Sequence, residues 1–296
     1  MRACVIFNPT ARGNKARHFR RSLDEMAVGV AFKPTQAPGD GRRLAAEAVR
    51  DGFDTLVAAG GDGTVNEVLN GIADAPDGFA RARLAVLPLG TVNVFARELG
   101  LPLRLRAAWQ AILADRERTI DAPFAEFTAP DGTRQRRYFA QLAGAGLDAR
   151  AISLVDWKMK QRVAQFAYVL AGLQASREPQ PLITVEAEGR TVTGELVLVG
   201  NGRFYGGSLP MFPAAKLNDG LIDLCVFPRV TWALLPRYAL GFVTGHPRPP
   251  RDLQVLRVAK AKLTSSAPVY FEVEGDLCGA LPMELGVVPG VLRVLA

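Results

Sequence analysis

The sequence predicts two domains of different fold class, an α/β domain over residues 1–121 and an antiparallel β domain over residues 122–296. Strand-like and helix-like segments alternate along the first part of the chain, which is typical of a mostly parallel sheet with helices on both faces. From Pro123 onward, short β-rich runs alternate with turn signals instead. The length of 296 residues agrees with two domains, since one domain takes roughly 100–200 residues.

The first domain is predicted to alternate strands with helices from its first residues. Its strands are predicted at Ala3–Phe7, Val28–Lys33, Asp54–Ala59 and Leu84–Leu87. Its helices are predicted at Arg17–Ala27, Arg42–Arg50, Val65–Ile72 and Asn93–Leu99. The third helix is the clearest, because its apolar residues recur at intervals of three and four from Val65 to Ile72. The last helix is predicted to end at Gly100 and Pro102, which stop helices.

The second domain is predicted to consist of short strands with one helical insertion, Met159–Gln174. The strands are predicted at Phe124–Thr128, Tyr138–Leu142, Leu182–Ala187, Glu195–Val199, Leu221–Phe227, Ala261–Ser265, Val269–Glu274 and Val291–Leu295. Gly144-Ala145-Gly146 superficially fits the start of a dinucleotide fingerprint. No βαβ pattern surrounds it, so we interpret this segment as a tight turn.

Composition and charge exclude several classes of protein. The 36 Lys and Arg residues exceed the 29 Asp and Glu residues, and the net charge of +7 is typical of a protein with an anionic partner. No Cys or His spacing matches a zinc site, and two histidines are too few for most histidine-based mechanisms. The sequence shows no signal peptide and no apolar run long enough to cross a bilayer, so we expect a cytoplasmic protein or one that lies on a membrane face.

The most informative segment is Gly60-Gly61-Asp62-Gly63-Thr64, which follows a predicted strand and opens a predicted helix. Parallel α/β folds bind ligands at this place, and glycines let backbone N–H groups approach phosphate oxygens at a helix N-terminus. Thr64 and Glu67 have the spacing of a capping box, so helix capping alone explains part of the pattern. A cap does not require three glycines around an aspartate, and we therefore interpret the segment as a phosphate-binding loop.

Two further polar loops follow predicted strands, Asn8-Pro9-Thr10-Ala11-Arg12-Gly13 and Pro88-Leu89-Gly90-Thr91-Val92-Asn93. One such loop is weak evidence, but three loops at the same edge of a sheet would form one nucleotide site. The chain has no GxxxxGK[ST] sequence, which excludes a Walker-type NTPase.

Acidic residues in the second domain supply candidates for proton transfer and cation binding. Glu274-Gly275-Asp276 places two carboxylates around a flexible glycine, and phosphoryl transfer needs a carboxylate that accepts a hydroxyl proton. Asn218-Asp219-Gly220 is explained by a turn alone, or by a carboxylate and neighbouring carbonyl groups that bind a hard cation such as Mg²⁺.

Together these segments resemble the diacylglycerol kinase-like lipid kinases of bacteria, which are related to eukaryotic diacylglycerol and sphingosine kinases. The resemblance runs through Asn8-Pro9, Gly60 to Glu67, Pro88 to Arg97, Gly146 to Ala149, Gly206 to Leu224 and Glu274 to Pro282. The Gly-Gly-Asp-Gly-Thr signature is also similar to that of NAD kinases and phosphofructokinases. The Asn66-Glu67 pair and the C-terminal segment favour the lipid kinases.

The resemblance implies an NAD kinase/diacylglycerol kinase-like α/β domain joined to a β-sandwich domain, with the active site in the cleft between them. It implies that ATP and Mg²⁺ act on a lipid substrate. Glu274 matches the family's general base, which accepts the proton of the lipid hydroxyl, and Asp276 matches the glutamate of the same motif. Asp62 is expected to help organise Mg²⁺ and the phosphates.

The resemblance also implies two binding sets. A structural Mg²⁺ would bind Asp219 and the carbonyl groups of Lys216 and Leu221. The residues implied for ATP are Asn8, Pro9, Thr10, Ala11, Arg12, Thr35, Gly60, Gly61, Asp62, Gly63, Thr64, Val65, Asn66 and Thr91.

Two positions depart from the family pattern. The usual Asp-Gly-Glu is Glu274-Gly275-Asp276 here, so the implied base is one methylene longer, and a change in reach of about one ångström matters to phosphoryl geometry. Val94 replaces an acidic residue that the family places near the metal and phosphates. Either difference is consistent with another lipid acceptor, a shifted catalytic network or lost activity.

The leading hypothesis is therefore an ATP-dependent kinase that phosphorylates diacylglycerol, monoacylglycerol or a sphingoid base. The alternatives are an NAD kinase-like enzyme with a soluble substrate and a non-catalytic protein that binds nucleotide or lipid. Nucleic-acid binding ranks last, because no recognition helix or interleaved aromatic and basic pattern is present. The segment Trp157–Arg162 combines three basic residues with a tryptophan, and we expect it to dock on an anionic membrane surface.

Overall fold

The protein is described from a computed structural model, which defines residues 1–9, 29–147, 149, 180–230 and 252–296. The predicted helices Arg17–Ala27 and Met159–Gln174 lie outside these residues, as does the predicted membrane-docking segment Trp157–Arg162. The chain divides into two compact units. Unit 1 contains Met1–Ala122 and Pro289–Ala296, and unit 2 contains Pro123–Val288.

Unit 1 is an α/β fold around a parallel sheet, as the sequence predicts. Its strands β1 (Ala3–Phe7), β2 (Ala31–Pro34), β3 (Thr55–Gly60) and β4 (Arg83–Pro88) pair in parallel in the order β2-β1-β3-β4. Its helices in the described residues are α1 (Asp40–Arg50), α2 (Asp62–Asp74), α3 (Gly78–Arg81), α4 (Val94–Glu98) and α5 (Leu105–Leu113).

The central strands of the unit 1 sheet are buried on both faces. Every residue of β1 and β3 is buried, which is the pattern of a parallel strand covered by helices on each side. On one face Val5 and Val57 pack in a cluster with Trp109 of α5. The two longest described helices, α1 and α2, approach closely at Gly71, where a Cβ atom would collide with the carbonyl oxygen of Arg42.

Unit 2 is an antiparallel β-sandwich. The strands that follow β4 in the chain are β5 (Glu117–Thr128), β6 (Arg134–Tyr138), β7 (Leu142–Gly146), β8 (Ile183–Ala187), β9 (Arg190–Gly194), β10 (Leu196–Gly200), β11 (Phe204–Tyr205), β12 (Leu209–Pro210), β13 (Ile222–Phe227), β14 (Gln254–Val258), β15 (Lys260–Ser265), β16 (Tyr270–Val273), β17 (Asp276–Ala280) and β18 (Met283–Leu295). One sheet has the order β14-β13-β10-β7-β16-β17, and a second includes β9, β8, β15 and the first residues of β18.

One apolar core lies between the two sheets of unit 2. It joins Val197, Leu224 and Phe271 of the first sheet to Ile183 and Leu263 of the second. Alternating burial along β15 and β8 shows that each strand of the second sheet presents one face to this core. The predicted fold class, an α/β domain followed by an antiparallel β-sandwich, is confirmed.

Two details of the sequence analysis are wrong. The predicted strand Tyr138–Leu142 spans the connection between β6 and β7, and the predicted turn Gly144-Ala145-Gly146 is the end of β7 itself. Strand β7 is central, because it pairs with β10 on one side and β16 on the other. Small residues are required where it ends, since a Cβ atom on Gly146 would collide with the carbonyl oxygen of Glu195. Close packing and a left-handed backbone at φ 96 explain the glycine at position 146.

The end of the chain belongs to unit 1, although the sequence analysis assigned all of residues 122–296 to the second domain. Val294 in β18 pairs in parallel with Leu84 in β4, and Leu295 packs in the unit 1 core with Trp109. Residues 289–296 thus complete the first fold.

Candidate active site

The polar loops of unit 1 lie together at the edge of the sheet where its parallel strands end. The backbone N–H of Asn8 donates to the carbonyl oxygen of Ala59 at 3.1 Å, and that of Thr35 donates to Phe7 at 2.8 Å. Gly60, the last residue of β3, accepts hydrogen bonds from Leu89 and Gly90 at 2.8 and 3.1 Å. Loops after four adjacent strands therefore meet at one edge, which is where open α/β sheets bind ligands.

The predicted ATP residues occupy different environments within this edge. Thr91 is exposed, Thr35 is 8% exposed, and Thr10, Ala11 and Arg12 lie outside the described residues. Val65 and Asn66 are only 2% and 1% exposed, so their side chains belong to the packing of α2 and not to the surface of the loop.

Helix α2 begins directly in the glycine segment. Gly61 is its N-cap residue, without a side-chain capping hydrogen bond, and Asp62 is its first helical residue. The first N–H groups of a helix lack partners within the helix, and the helix dipole favours an anion beside them. An uncapped N-terminus of a helix this long, next to three glycines, has the local chemistry of a phosphate site.

The predicted capping box between Thr64 and Glu67 is wrong. The helix begins two residues before Thr64, and Glu67 binds a different helix. Its Oε1 and Oε2 atoms accept hydrogen bonds from the backbone N–H groups of Gly39 and Gly41, both at 2.8 Å. Glu67 therefore caps the N-terminus of α1, and a Cβ atom on Gly41 would come within 2.5 Å of its Oε2 atom.

Two glycine loops approach each other at backbone distance. A Cβ atom on Gly90 would lie 2.5 Å from the Cα atom of Gly61 and 2.7 Å from the Oδ1 atom of Asn93. Asn93 holds the loop from the other side, because its Nδ2 atom donates to the carbonyl oxygen of Gly90 at 2.9 Å and its backbone is left-handed at φ 52. The close approach of the two loops therefore requires glycine at position 90.

Asp62 joins the glycine loop to helix α4. Its Oδ1 atom accepts a hydrogen bond from the backbone N–H of Phe95 at 3.1 Å. Burial raises the pKa of the Asp62 carboxyl, against the opposing effect of the N–H groups of Phe95 and Val94 that bind its charged form. Val94, where the resemblance implied an acidic side chain, is 5% exposed and contributes its backbone N–H here.

In unit 2, Glu274 and Gly275 form the two-residue turn between β16 and β17. Both have positive φ, 54 for Glu274 and 80 for Gly275, which is the backbone of a type I′ hairpin turn. A glutamate rarely adopts this conformation, and such strain in a non-glycine residue is concentrated at functional sites.

The carboxylate of Glu274 is held by backbone donors. Its Oε1 atom accepts hydrogen bonds from the N–H groups of Ala140 and Gln141, both at 2.7 Å. Its own N–H donates to the carbonyl oxygen of Leu142 at 3.0 Å. The implied base is therefore fixed at both its backbone and its side chain.

The sequence analysis missed three residues that support this turn. Glu272, fully buried, accepts a hydrogen bond from the Gly275 N–H at 2.6 Å. Asn201, 1% exposed, donates from Nδ2 to the carbonyl oxygen of Ala140 at 2.9 Å and from its N–H to that of Gln141 at 2.8 Å. Gln141 is fully buried and donates from Nε2 to Phe204 at 2.9 Å. The sequence signal that could have identified these residues is a polar residue in or beside a predicted strand.

Asp276, the second predicted carboxylate of this motif, forms an ion pair. Its Oδ2 atom lies 2.8 Å from the Nη2 atom of Arg137, whose Nη1 atom contacts the Sγ atom of Cys278 at 3.3 Å. Arg137 is more buried than Asp276, with side chains 23% and 51% exposed. The structure thus gives Asp276 a partner of opposite charge on β6.

The predicted magnesium residues do not form a cation site of the expected kind. The Oδ2 atom of Asp219 is paired with the guanidinium of Arg257, and its Oδ1 atom accepts the N–H of Leu221 at 3.2 Å. Across residues 1–9, 29–147, 149, 180–230 and 252–296, no group of three or more His, Cys, Asp and Glu residues is placed to hold a metal ion. Arginine already supplies the positive charge at Asp219, the one carboxylate of the predicted set, so this side chain is a poor fit to a bound Mg²⁺.

Within the same ranges, none of the helices combines the length and the apolar character needed to span a bilayer.

Family models match both parts of the chain. Residues 2–124 match the diacylglycerol kinase catalytic domain, and residues 141–296 match the YegS C-terminal NAD kinase beta sandwich-like domain. The chain is 31% identical over 292 residues to the diacylglycerol kinase of Bacillus subtilis (strain 168). The alignment covers 96% of this chain and 92% of the relative. It is 30% identical to the diacylglycerol kinase of Staphylococcus saprophyticus, over 95% of this chain and 90% of the relative.

Solved structures share the fold at lower identity. A diacylglycerol kinase from Bacillus anthracis str. Sterne matches with a TM-score of 0.76 at 22% identity, over 99% of this chain and 96% of that one. Yeast NADH kinase in complex with NADH matches with a TM-score of 0.50 at 12% identity, over 100% of this chain and 83% of that one. The fold is therefore shared by kinases that phosphorylate different acceptors.

Proposed function

The chain belongs to the diacylglycerol kinase family of lipid kinases, and we propose that it transfers the γ-phosphoryl group of ATP to a hydroxyl group of a membrane lipid. The proposed acceptor class is diacylglycerol, monoacylglycerol or a sphingoid base. In the reaction the lipid oxygen attacks the γ-phosphorus, the bond to the bridging oxygen of ATP breaks, ADP leaves, and the hydroxyl proton passes to a carboxylate.

The observation that carries this proposal is the uncapped start of α2 among its glycines. Gly63 leaves room for phosphate oxygens beside the first N–H groups of the helix, because a Cβ atom on it would have no neighbour within 4 Å. Asn8, Thr35 and Thr91 extend this edge and are proposed to contact the nucleotide. ATP enters with its own Mg²⁺ as a substrate, and Asp62 is proposed to orient its phosphates.

Glu274 is proposed as the general base. Its left-handed backbone and the N–H groups of Ala140 and Gln141 fix the direction of its carboxylate before any substrate binds. A base held in this way loses little entropy when it meets the hydroxyl, and a positioned base contributes about 10²–10⁴-fold to the rate. We propose that Asp276 keeps Arg137 in place beside this turn.

The test is a phosphotransfer assay with purified protein and γ-labelled Mg-ATP. Vesicles containing diacylglycerol, monoacylglycerol or sphingosine are compared with vesicles of phosphatidylcholine alone, and each product is identified by mass. Labelled lipid in one of the acceptor-containing samples is the expected result. Glu274→Gln serves as the matched control for labelling that does not depend on the proposed base.

Two outcomes would overturn the proposal. Transfer to NAD in the absence of vesicles, with no transfer to lipid, would show a soluble substrate like that of an NAD kinase. ATP binding without turnover on any acceptor would show a nucleotide-binding protein that has lost catalysis. The assay therefore distinguishes all three hypotheses.

A further inference from the structure

One arginine bridges two carboxylates at the position where the resemblance implied a magnesium ion. The guanidinium of Arg257 pairs with the Oδ2 atom of Asp219 and, through its Nε atom at 3.3 Å, with the Oδ1 atom of Asp223. Asp219 lies in the turn that precedes β13, whereas Asp223 lies within that strand. The arginine thus ties the turn to the strand that follows it.

The sheet itself brings these residues together. Asp223 on β13 and Arg257 on β14 are directly opposite each other in an antiparallel pair. Opposite charges on directly paired residues stabilise such a sheet. The Oδ1 atom of Asp219 accepts the N–H of Leu221, two residues further along, which is the hydrogen bond of an Asx turn. The two oxygens of Asp219 are therefore engaged by different partners, one local and one on β14.

Burial makes a positive charge necessary at this place. Asp223 has a side chain that is only 4% exposed, and the guanidinium of Arg257 contacts both its carboxylate and that of Asp219. Without a cation, two carboxylates would share a poorly solvated site, which is unfavourable for the ionised form of each. Either a divalent cation or a guanidinium would neutralise these two carboxylates.

The geometry favours the guanidinium. Arginine stays protonated at all physiological pH values, and its planar fork can bind two carboxylates at once. A hard cation would require oxygens at short distance around it, and the one carboxylate of the implied set, Asp219, is already engaged by the guanidinium. We propose that Arg257 takes the place of a structural Mg²⁺ in this chain, so that the turn from Asn218 to Gly220 is held without a metal.

The proposal concerns stability and is independent of the reaction, so its test needs no substrate. The melting temperature of the full chain is measured with EDTA and with millimolar Mg²⁺, for the wild type and for Asp219→Asn. Equal responses of these two proteins to Mg²⁺ are expected, because any Mg²⁺ bound elsewhere acts on both. A rise in the melting temperature of the wild type that Asp219→Asn loses would overturn the proposal.

Variants of Arg257 test directly whether its guanidinium replaces a cation. Arg257→Gln is expected to melt about 2–4 °C lower in EDTA and to recover in Mg²⁺, because two unpaired carboxylates then favour a divalent cation. Arg257→Lys keeps the charge and is expected to stay insensitive to Mg²⁺. The double variant Asp219→Asn/Arg257→Gln relieves the repulsion, remains folded, and is expected to show no recovery. An Arg257→Gln protein with the melting temperature of the wild type would overturn the proposal.

Discussion

Asp62 in unit 1 and Glu274 in unit 2 are both acidic residues held by backbone N–H groups, but the two units hold them differently. Asp62 is the first residue of a regular helix, and its carboxylate is bound at the start of a second helix, α4. Glu274 is in a left-handed turn, and its carboxylate reaches back to the connection between β6 and β7. The first residue is in relaxed backbone with a desolvated carboxyl group, whereas the second is in strained backbone.

The two units differ in whether backbone or a side chain forms the proposed site. In unit 1 the proposed phosphate-binding surface is made of backbone, and its glycines also allow Gly61 and Gly90 to approach closely. In unit 2 the proposed chemistry depends on one side chain, Glu274, and the buried residues Gln141, Asn201 and Glu272 support its turn. We therefore expect substitutions in unit 1 to affect nucleotide binding, and substitutions at Glu274 to affect the chemical step.

The largest expected effect comes from Glu274→Gln. The amide oxygen of glutamine can still accept the hydrogen bonds from Ala140 and Gln141, so we expect the fold to be retained. The amide cannot accept the lipid proton, and kcat is expected to fall about 10²–10⁴-fold with little change in the KM for ATP. Steady-state kinetics at saturating lipid, with a circular dichroism melt, measures both effects. A variant with wild-type kcat would remove Glu274 from the role of base.

A second effect separates packing from phosphate binding in unit 1. Gly90→Ala places a methyl group 2.5 Å from the Cα atom of Gly61, and the overpacking is expected to cost about 1–3 kcal/mol of unfolding free energy. Gly63→Ala meets nothing within 4 Å, and alanine in a helix is favoured over glycine by about 0.5–1 kcal/mol, so no loss of stability is expected.

Nucleotide affinity then completes the comparison of the two glycine variants. If phosphates approach the backbone of Gly63, its methyl group weakens ATP binding by about 10-fold, the equivalent of about 1.4 kcal/mol, in a protein that is as stable as the wild type. Calorimetric titration of ATP into Gly63→Ala measures this loss directly. Unchanged affinity in that variant would show that the nucleotide binds away from the start of α2.

The sequence predicted the parts of this molecule that depend on short-range pattern. The bounds of β1 agree with the prediction, and α2 is the helix whose apolar periodicity was clearest. Helix α5 was missed although Leu105, Ala108, Trp109 and Ile112 have the spacing i, i+3, i+4, i+7 that identified α2, and Trp109 is 2% exposed. Strand β7 was taken for a turn because its sequence contains two glycines, of which Gly146 serves close packing against Glu195.

The contacts that shape the candidate site could not be predicted, since they join distant parts of the chain. Asn201 binds Ala140 across 61 positions of sequence, and Glu274 binds Gln141 across 133. Glu67 had a local explanation as part of a capping box, yet it caps a helix 26 positions earlier in the chain. Such partners are set by the fold, and no local spacing indicates them.

The smallest effect concerns the pH dependence of stability at Asp62. Burial raises the pKa of this carboxyl, so the folded protein binds its proton more tightly than the unfolded chain does. The stabilisation of the folded protein by the protonated Asp62 is complete below the pKa of the unfolded chain, about 4. It is lost as the pH rises through the higher pKa of the folded protein. Asp62→Asn cannot ionise and can still accept the N–H of Phe95, so its stability relative to the wild type is expected to increase from acid toward neutral pH.

Paired thermal melts of the two proteins across this pH range measure the difference without reference to activity. A wild type that instead gains stability over Asp62→Asn as the pH rises would show that the backbone N–H groups outweigh burial and lower the pKa. That result would make the backbone donors the dominant influence on Asp62 and would weaken the contrast between the two units. The expected result keeps the contrast, because a variant that is more stable than the wild type at neutral pH would show that the buried Asp62 carboxylate costs stability.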